Sequence, residues 1–403
     1  MRILPGQVYF SVRRMEYPTE TELMPGRGVE WFAGQIPSPV RRLRFLREFA
    51  PGPPTAVRSG VRWSWLRAAM PAVLLLGTIP ARPPAAHVSD AGAPHEKAAI
   101  PAVARMKPES VYVALASAIW VVEKTDASET YSNGLRIDNR FSVGNHARSY
   151  LAFPAAAPEH GAERHSEPAG IVFHTTESLL APFEPGENSR LKKIGESLVE
   201  YVKRRRSYNF LIDRFGRVFR VVREEDAANH AGYSVWSDAS YIYLNLNESF
   251  LGVAFETQTL PAQDEAAVTP AQLHAAAMLT DMLRRRYRIR ASNCVTHAQV
   301  SVNATNLQIG YHLDWASSFP FAQIGLPDNY AVPLPAVSEF GFEYDTGFAR
   351  RAGRRMYQEA ELGDREMRER AAAARVETAV YRRRLQNRYR SELAAMRDGV
   401  SAE

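Results

Sequence analysis

Two short apolar runs that each end on a histidine constrain this chain more than any other feature. One is Gly170-Ile-Val-Phe-His-Thr-Thr-Glu177 and the other is Asn293-Cys-Val-Thr-His-Ala-Gln-Val300. Runs of this length and composition read as strands. Imidazoles carried on strands far apart in the chain can converge on one metal while the segments between them shape a cleft, so the pair His174 and His297 points to a zinc hydrolase. Between them lie a strand-turn-strand pattern over Tyr208–Val222, the tetrapeptide Asn229-His-Ala-Gly232, and Leu251-Gly-Val-Ala-Phe-Glu256.

The coarse reading of this region is strand (170–174), helix (about 187–204), hairpin (208–222), a loop with His230, strand (250–257), helix (270–287) and strand (292–298). Thr269-Pro270 is a strong helix start, with Thr269 as N-cap and Pro270 at the first helical position. Interleaved strands and helices predict an α/β (α+β) fold, a central mixed β-sheet flanked by helices, over residues 168–326. Residues 108–167 form a small β-rich extension with short strands across Thr130–Phe153 and a hairpin signal at Ser132-Asn-Gly134. Residues 327–403 are a linker and a basic amphipathic tail, in which Leu385, Tyr389, Leu393 and Met396 recur at helical spacing.

The N-terminal part is different in kind. Residues 61–86 place arginines ahead of an apolar stretch from Ala68 to Ile79 and then small residues and prolines, the layout of a secretory signal and too short to span a bilayer. Residues 87–107 read as a Pro/Ala-rich linker. Residues 1–60 are rich in Pro and Arg. Either the start codon lies ahead of the true one, with the protein beginning near Val61 or Met70, or this segment is a cytoplasmic tail before a signal anchor. Its paucity of Glu, Lys and Ser favours the first. The expected location is periplasmic or secreted, with membrane contact only through the signal-like segment.

The chain has 45% hydrophobic and 23% charged residues, as a soluble globular protein does, and a net charge of +6. That charge suits an anionic partner such as an acidic cell-wall polymer. It sits largely in the Arg-rich termini, and nothing in the central region supports nucleic-acid binding. The single cysteine, Cys294, excludes an intrachain disulfide. Strand alternation turns Cys294 and His297 to opposite faces, so Cys294 reads as a buried apolar-like residue and not a ligand.

These motifs together resemble the N-acetylmuramoyl-L-alanine amidase family that includes peptidoglycan recognition proteins and the phage lysozyme-amidase. Ile171-Val-Phe-His-Thr-Thr resembles the strand with the first zinc ligand, and Ser207-Tyr-Asn-Phe-Leu-Ile with Gly216-Arg-Val the family's hairpin. His230-Ala-Gly232 matches a tripeptide after that hairpin. Asn247-Glu-Ser-Phe-Leu-Gly-Val is similar to its next strand, and Thr296-His-Ala-Gln-Val-Ser301 to the segment with the second ligand.

The resemblance implies Zn²⁺ held by His174 and His297, a peptidoglycan or muropeptide substrate, and hydrolysis of the amide between N-acetylmuramic acid and L-alanine. A non-catalytic peptidoglycan-binding module is the alternative. His230, Asn247 and Thr175 are expected along the substrate groove. Tyr208 aligns with a tyrosine that assists at the metal-bound water or the oxyanion, and Glu256 is the other candidate for general base, because Ala254 stands where cytoplasmic relatives carry Glu. Glu177 is expected either to support a ligand or to lie near a helix start. The third ligand departs from the family pattern. Alignment on Gly310 and Asp314-Trp315 puts Gln308 at that position and Asn306 where a catalytic lysine often sits. Glutamine is a poor zinc ligand. His312 is the expected replacement, since imidazole suits zinc, and Asp314 is the alternative. The sequence leaves oligomeric state open.

Overall fold

The computed structural model describes residues 118–156, 161–259 and 267–401. The signal-like segment, the linker at 87–107 and residues 1–60 lie outside the described residues. Strands, in chain order, are β1 (Val121–Lys124), β2 (Ser128–Tyr131), β3 (Arg136–Asp138), β4 (Tyr150–Pro154), β5 (Glu163–His165), β6 (Gly170–Thr175) and β7 (Phe210–Ile212). They continue as β8 (Val218–Arg220), β9 (Trp236–Ser237), β10 (Tyr241–Tyr243), β11 (Phe250–Phe255), β12 (Cys294–Thr296), β13 (Val302–Asn303) and β14 (Gln308–Ile309). The helices are α1 (Asn188–Arg205), α2 (Leu246–Ser249), α3 (Pro270–Tyr287), α4 (His297–Val300), α5 (Pro335–Ser338), α6 (Thr346–Ala352), α7 (Arg354–Ala373) and α8 (Thr378–Ser401).

The main sheet is mixed, with strand order β1-β2-β3-β8-β7-β11-β6-β12. Its centre, β7-β11-β6-β12, is parallel. Parallel neighbours need crossovers, and α1 and α3 supply them. Both faces of this centre are covered, which is why β6 and β11 are buried along their whole length and read as unbroken apolar runs.

Register decides which side chains share a face. Val172 pairs with Gly252 and Val295, and His174 with Ala254. These residues and the next position after β12, His297, project to the front. Ile171, Phe173, Leu251, Val253, Phe255 and Cys294 project to the back, where Ala275, Leu279, Met282 and Leu283 of α3 pack on them. Each large aliphatic side chain buried there stabilises the domain by about 1.5–3 kcal/mol. Cys294 is a free thiol in this back core, and burial pushes it up to about 12, so it is inert as a ligand at neutral pH. α3 begins as its sequence predicts: Thr269 accepts from Gln272 N, the Gln272 side chain returns the bond, and Pro270 opens the first turn.

On the front, Val199 and Val202 of α1 pack over Leu211 and Ala254. A second, antiparallel sheet of order β5-β4-β10-β9 brings Tyr150, Ala152, Trp236 and Tyr243 over Val172 and Val295. Strands on both sides of residue 168 therefore share both sheets. β1–β3 extend the main sheet through the parallel pair β3·β8, and β4 and β5 join β9 and β10.

Buried cations fasten the join. Arg220 of β8 reaches Glu129 of β2 at 3.1 Å and Glu224 at 2.7 Å. Arg148, 2% exposed, donates to the carbonyl oxygens of Glu224, Asp226, Glu248 and Phe250. One guanidinium thus serves four buried carbonyls from separate segments.

The C-terminal helices pack on the body. Leu385, Tyr389, Leu393 and Met396 are all buried, and the last three join Phe340, Phe342, Phe348 and Met356 around Leu307, Ile309 and Ala316. Among the described residues no helix is long and apolar enough to cross a membrane.

Candidate metal centre

Three side chains converge at the front C-terminal edge of the parallel strands. Asp314 Oδ2 lies 3.2 Å from His174 Nδ1 and 2.9 Å from His297 Nδ1. The three candidate ligand atoms lie within 4.8 Å of one another, and among the described residues this is the group of His, Cys, Asp or Glu able to hold a metal ion. At zinc–ligand lengths of about 2.0–2.1 Å, tetrahedral geometry spaces ligand atoms roughly 3.3 Å apart. Two imidazoles and a carboxylate are also a common zinc donor set. The residues present fit the metal.

The electrostatics agree with that geometry. Burial, with His297 beside it, pushes His174 down to about 4, so the ring is neutral at pH 7 and free to ligate. Burial alone would raise Asp314, but His297 and His174 outweigh it and hold the carboxyl well below the usual range, so it is ionised.

Asp314, the alternative to His312, is the third member of this group. The loop 301–316 is folded so that Ala298 N donates to Asp314 O at 3.2 Å, tying it to the turn that carries His297. Trp315 then turns into the back core against Phe255 and Phe319, with its backbone in the left-handed region at φ 60°. This anchors Asp314 from its C-terminal side. His312 lies outside the group, its ring stacked on His297 with centroids 4.6 Å apart and its backbone N–H on Ser301 Oγ. Gln308 is in β14, where its Oε1 accepts from Asn306 Nδ2 at 3.0 Å.

The other expected residues divide. Tyr208 is at the site: its ring lies 5.0 Å from that of His174, and its backbone is held at φ 62°, an uncommon conformation for a bulky side chain. Burial raises its hydroxyl well above the ordinary tyrosine range, so it remains a neutral donor. His230 is also at the site, behind His174: its Nδ1 is 3.1 Å from His174 Nε2 and its Nε2 is 3.2 Å from Phe250 O.

Asn247, expected at the substrate, is committed to the fold. Its Oδ1 accepts from the backbone N–H groups of His230, Ala231 and Gly232 at 2.8, 2.7 and 2.8 Å, and so shapes the loop that presents His230. Thr175 is likewise occupied: it alternates to the face opposite His174, donates to Glu177 Oε1 at 2.8 Å and meets Thr259 Oγ1 at 3.0 Å. Glu177, at φ 51°, also accepts from Thr259 N, and so clamps a loop. Glu256 passes the end of β11 and turns to the hairpin, where its Oε2 accepts from Arg214 N at 3.1 Å. Burial pushes its carboxyl up to about 7. Among the described residues it makes no hydrogen bond to the histidines.

Gly252 and Arg148 escaped the sequence reading. A Cβ on Gly252 would come within 2.7 Å of His230 Cγ, so only glycine lets the ring lie against β11. The glycine in Leu251-Gly-Val was visible in the sequence, but the ring above it was not.

The fold and this edge define a domain with a group of three side chains able to hold a metal ion at the edge of an α/β sheet. Residues 164–308 match the model of the N-acetylmuramoyl-L-alanine amidase family, so the central domain is similar to that family. The N-acetylmuramoyl-L-alanine amidase AmiD of Escherichia coli (strain K12) is 30% identical over 89 residues, 21% of this chain and 31% of the relative. The chain thus matches about a third of the length of that curated relative. Similar solved structures include AmiD from E. coli with anhydro-N-acetylmuramic acid-L-Ala-D-gamma-Glu-L-Lys (20% identity, 60% of this chain and 90% of that one, TM-score 0.32). Another is the amidase LysC from Clostridium intestinale URNW (21%, 47% and 93%, TM-score 0.26). A third is the drosophila peptidoglycan recognition protein SD (15%, 39% and 76%, TM-score 0.25).

Proposed function

We propose that the central domain is a zinc-dependent N-acetylmuramoyl-L-alanine amidase that hydrolyses the amide between the lactyl group of N-acetylmuramic acid and L-alanine in peptidoglycan or its muropeptides. The observation that carries this is the convergence of His174 Nδ1, His297 Nδ1 and Asp314 Oδ2. When bound, zinc supplies Lewis-acid polarisation of the amide carbonyl and acidifies a water at neutral pH. The chain's own residues do the rest. His174, His297 and Asp314 hold the ion. The Tyr208 hydroxyl, kept protonated by burial, donates to the oxygen that gains negative charge. His312, stacked on His297 outside the ligand group, takes a proton from the attacking water and returns it to the departing L-alanine nitrogen as the C–N bond breaks.

The test is zinc content measured together with muropeptide hydrolysis on the full chain. About one zinc per chain with release of free stem peptide is expected. Tyr208→Phe and His312→Gln should keep the zinc and lose turnover. The signal-like segment supports action outside the cytoplasmic membrane, which cell fractionation of the tagged chain checks.

One observation favours a second reading, a binding module without turnover. Ala254 pairs with His174 in register, so the strand position beside that ligand offers no carboxylate, and Asn306 is bonded to Gln308. Muropeptide bound stoichiometrically with no hydrolysis supports this reading and sinks the first.

A further inference from the structure

The hydrogen bonds behind His174 have a direction. Phe250 O can only accept, so His230 Nε2, 3.2 Å away, carries a proton. With that proton on Nε2, the His230 ring presents the Nδ1 lone pair. That lone pair faces His174 Nε2 at 3.1 Å, which makes His174 Nε2 the donor. A neutral His174 with its proton on Nε2 has a bare lone pair on Nδ1, 3.2 Å from a carboxylate oxygen of Asp314. Two acceptors facing each other repel, and a cation shared between them removes the repulsion.

We propose that His230 is a positioning residue that locks His174 in the Nε2–H tautomer, so that Nδ1 is the atom offered to the ion shared with His297 and Asp314. The fold supports each link. Asn247 Oδ1 gathers the three N–H groups of the loop carrying His230, Gly252 leaves room for its ring, and Arg148 Nη1 holds Phe250 O from another side at 3.1 Å. Hydrogen bonds to the outer nitrogen of a ligating histidine set its tautomer and orientation. The last step rests on the reading of the group as a metal site, whereas the tautomer is a property of the metal-free chain.

The full chain, labelled with ¹⁵N on histidine and stripped of metal, is examined by long-range ¹H–¹⁵N correlation, with His174→Gln assigning the signals. His174 is expected as a single Nε2–H tautomer. In His230→Leu the tautomer should become mixed and zinc affinity, measured by chelator competition, should fall by about tenfold to a hundredfold. His230→Asn, with an oxygen near the place of Nδ1, should restore most of both. Gly252→Ala displaces the ring without removing it and should act in the same direction, which keeps the test open if the Leu variant does not fold. An Nδ1–H tautomer in the wild-type chain overturns the proposal, as does a His230→Leu chain with unchanged tautomer and zinc affinity. A wild-type chain with the Nε2–H tautomer and no zinc uptake overturns the proposed function and supports the tautomer lock.

Discussion

His174 and His297 stand at the ends of two adjacent parallel strands, whereas Asp314 stands on a loop outside the main sheet. The histidines are placed by register: β6 and β12 pair directly, and the back core under them is shared with α3. Asp314 is placed by packing from distant sequence. Ile309 N donates to Glu343 O, Glu343 N donates to Leu307 O, and Phe348 lies against Gly310 so closely that a Cβ there would meet its ring at 2.0 Å. Ser317 Oγ donates to Ala352 O, and Met356 N donates to Ser317 Oγ. One half of the site is thus built by the sheet, and the other is braced by the C-terminal helices.

The largest test of this contrast replaces the ligands. Asp314→Ala and His174→Ala should each weaken zinc binding roughly a thousandfold or more, because a zinc site's binding free energy of about 10–16 kcal/mol rests on a handful of ligands. His312→Ala should leave zinc affinity within a few fold. Isothermal titration separates them, and a large loss in His312→Ala would return that residue to the ligand set.

Core cavities sharpen the comparison further. Phe348→Ala and Leu279→Ala remove buried side chains beneath the loop half and the strand half respectively. Each should cost about 3 kcal/mol in denaturant unfolding. Only Phe348→Ala should also lower zinc affinity in the folded chain. Equal zinc affinity in the two variants would break the assignment of the brace.

A smaller effect comes from Glu256 at the strand half. Its pKa is raised by burial from 4.5 to about 7, so the folded state binds a proton that the unfolded state releases between those values. Its contribution to stability is complete below pH 4.5 and is lost as pH rises through about 7, on the order of 3 kcal/mol. Glu256→Gln should remove that part of the slope and be the more stable chain at pH 8, read from urea midpoints across pH. An unchanged slope would show that the carboxylate is not desolvated in the folded chain.

The same contrast explains what the sequence disclosed. β6, β11, α3 and both histidines were legible because their signals are local: apolar runs of strand length, the Thr269-Pro270 start, and a histidine ending each run. In the sequence Asp314 is only the alternative, since its position depends on Trp315 turning into the core and on helices that begin more than thirty residues later. Asn247 and Thr175 were read toward substrate because side-chain direction and hydrogen-bond partner are not written in a motif. The role of His230 was hidden for the same reason. Its tripeptide was plain, but the ring's neighbour is a strand residue far back in the chain.

Arg148 has a practical consequence for anyone who would isolate the central domain. The family match begins at residue 164, yet the guanidinium that satisfies the carbonyls of Glu224, Asp226, Glu248 and Phe250 comes from before it. A fragment cut at the homology boundary would expose the edge of β8 and strip a cation from beneath the very carbonyl on which His230 leans. Homology here marks what relatives share, while cooperative unfolding should follow the longer segment that includes β1–β5 and the C-terminal helices. The smallest piece worth expressing is therefore set by hydrogen bonds and not by alignment.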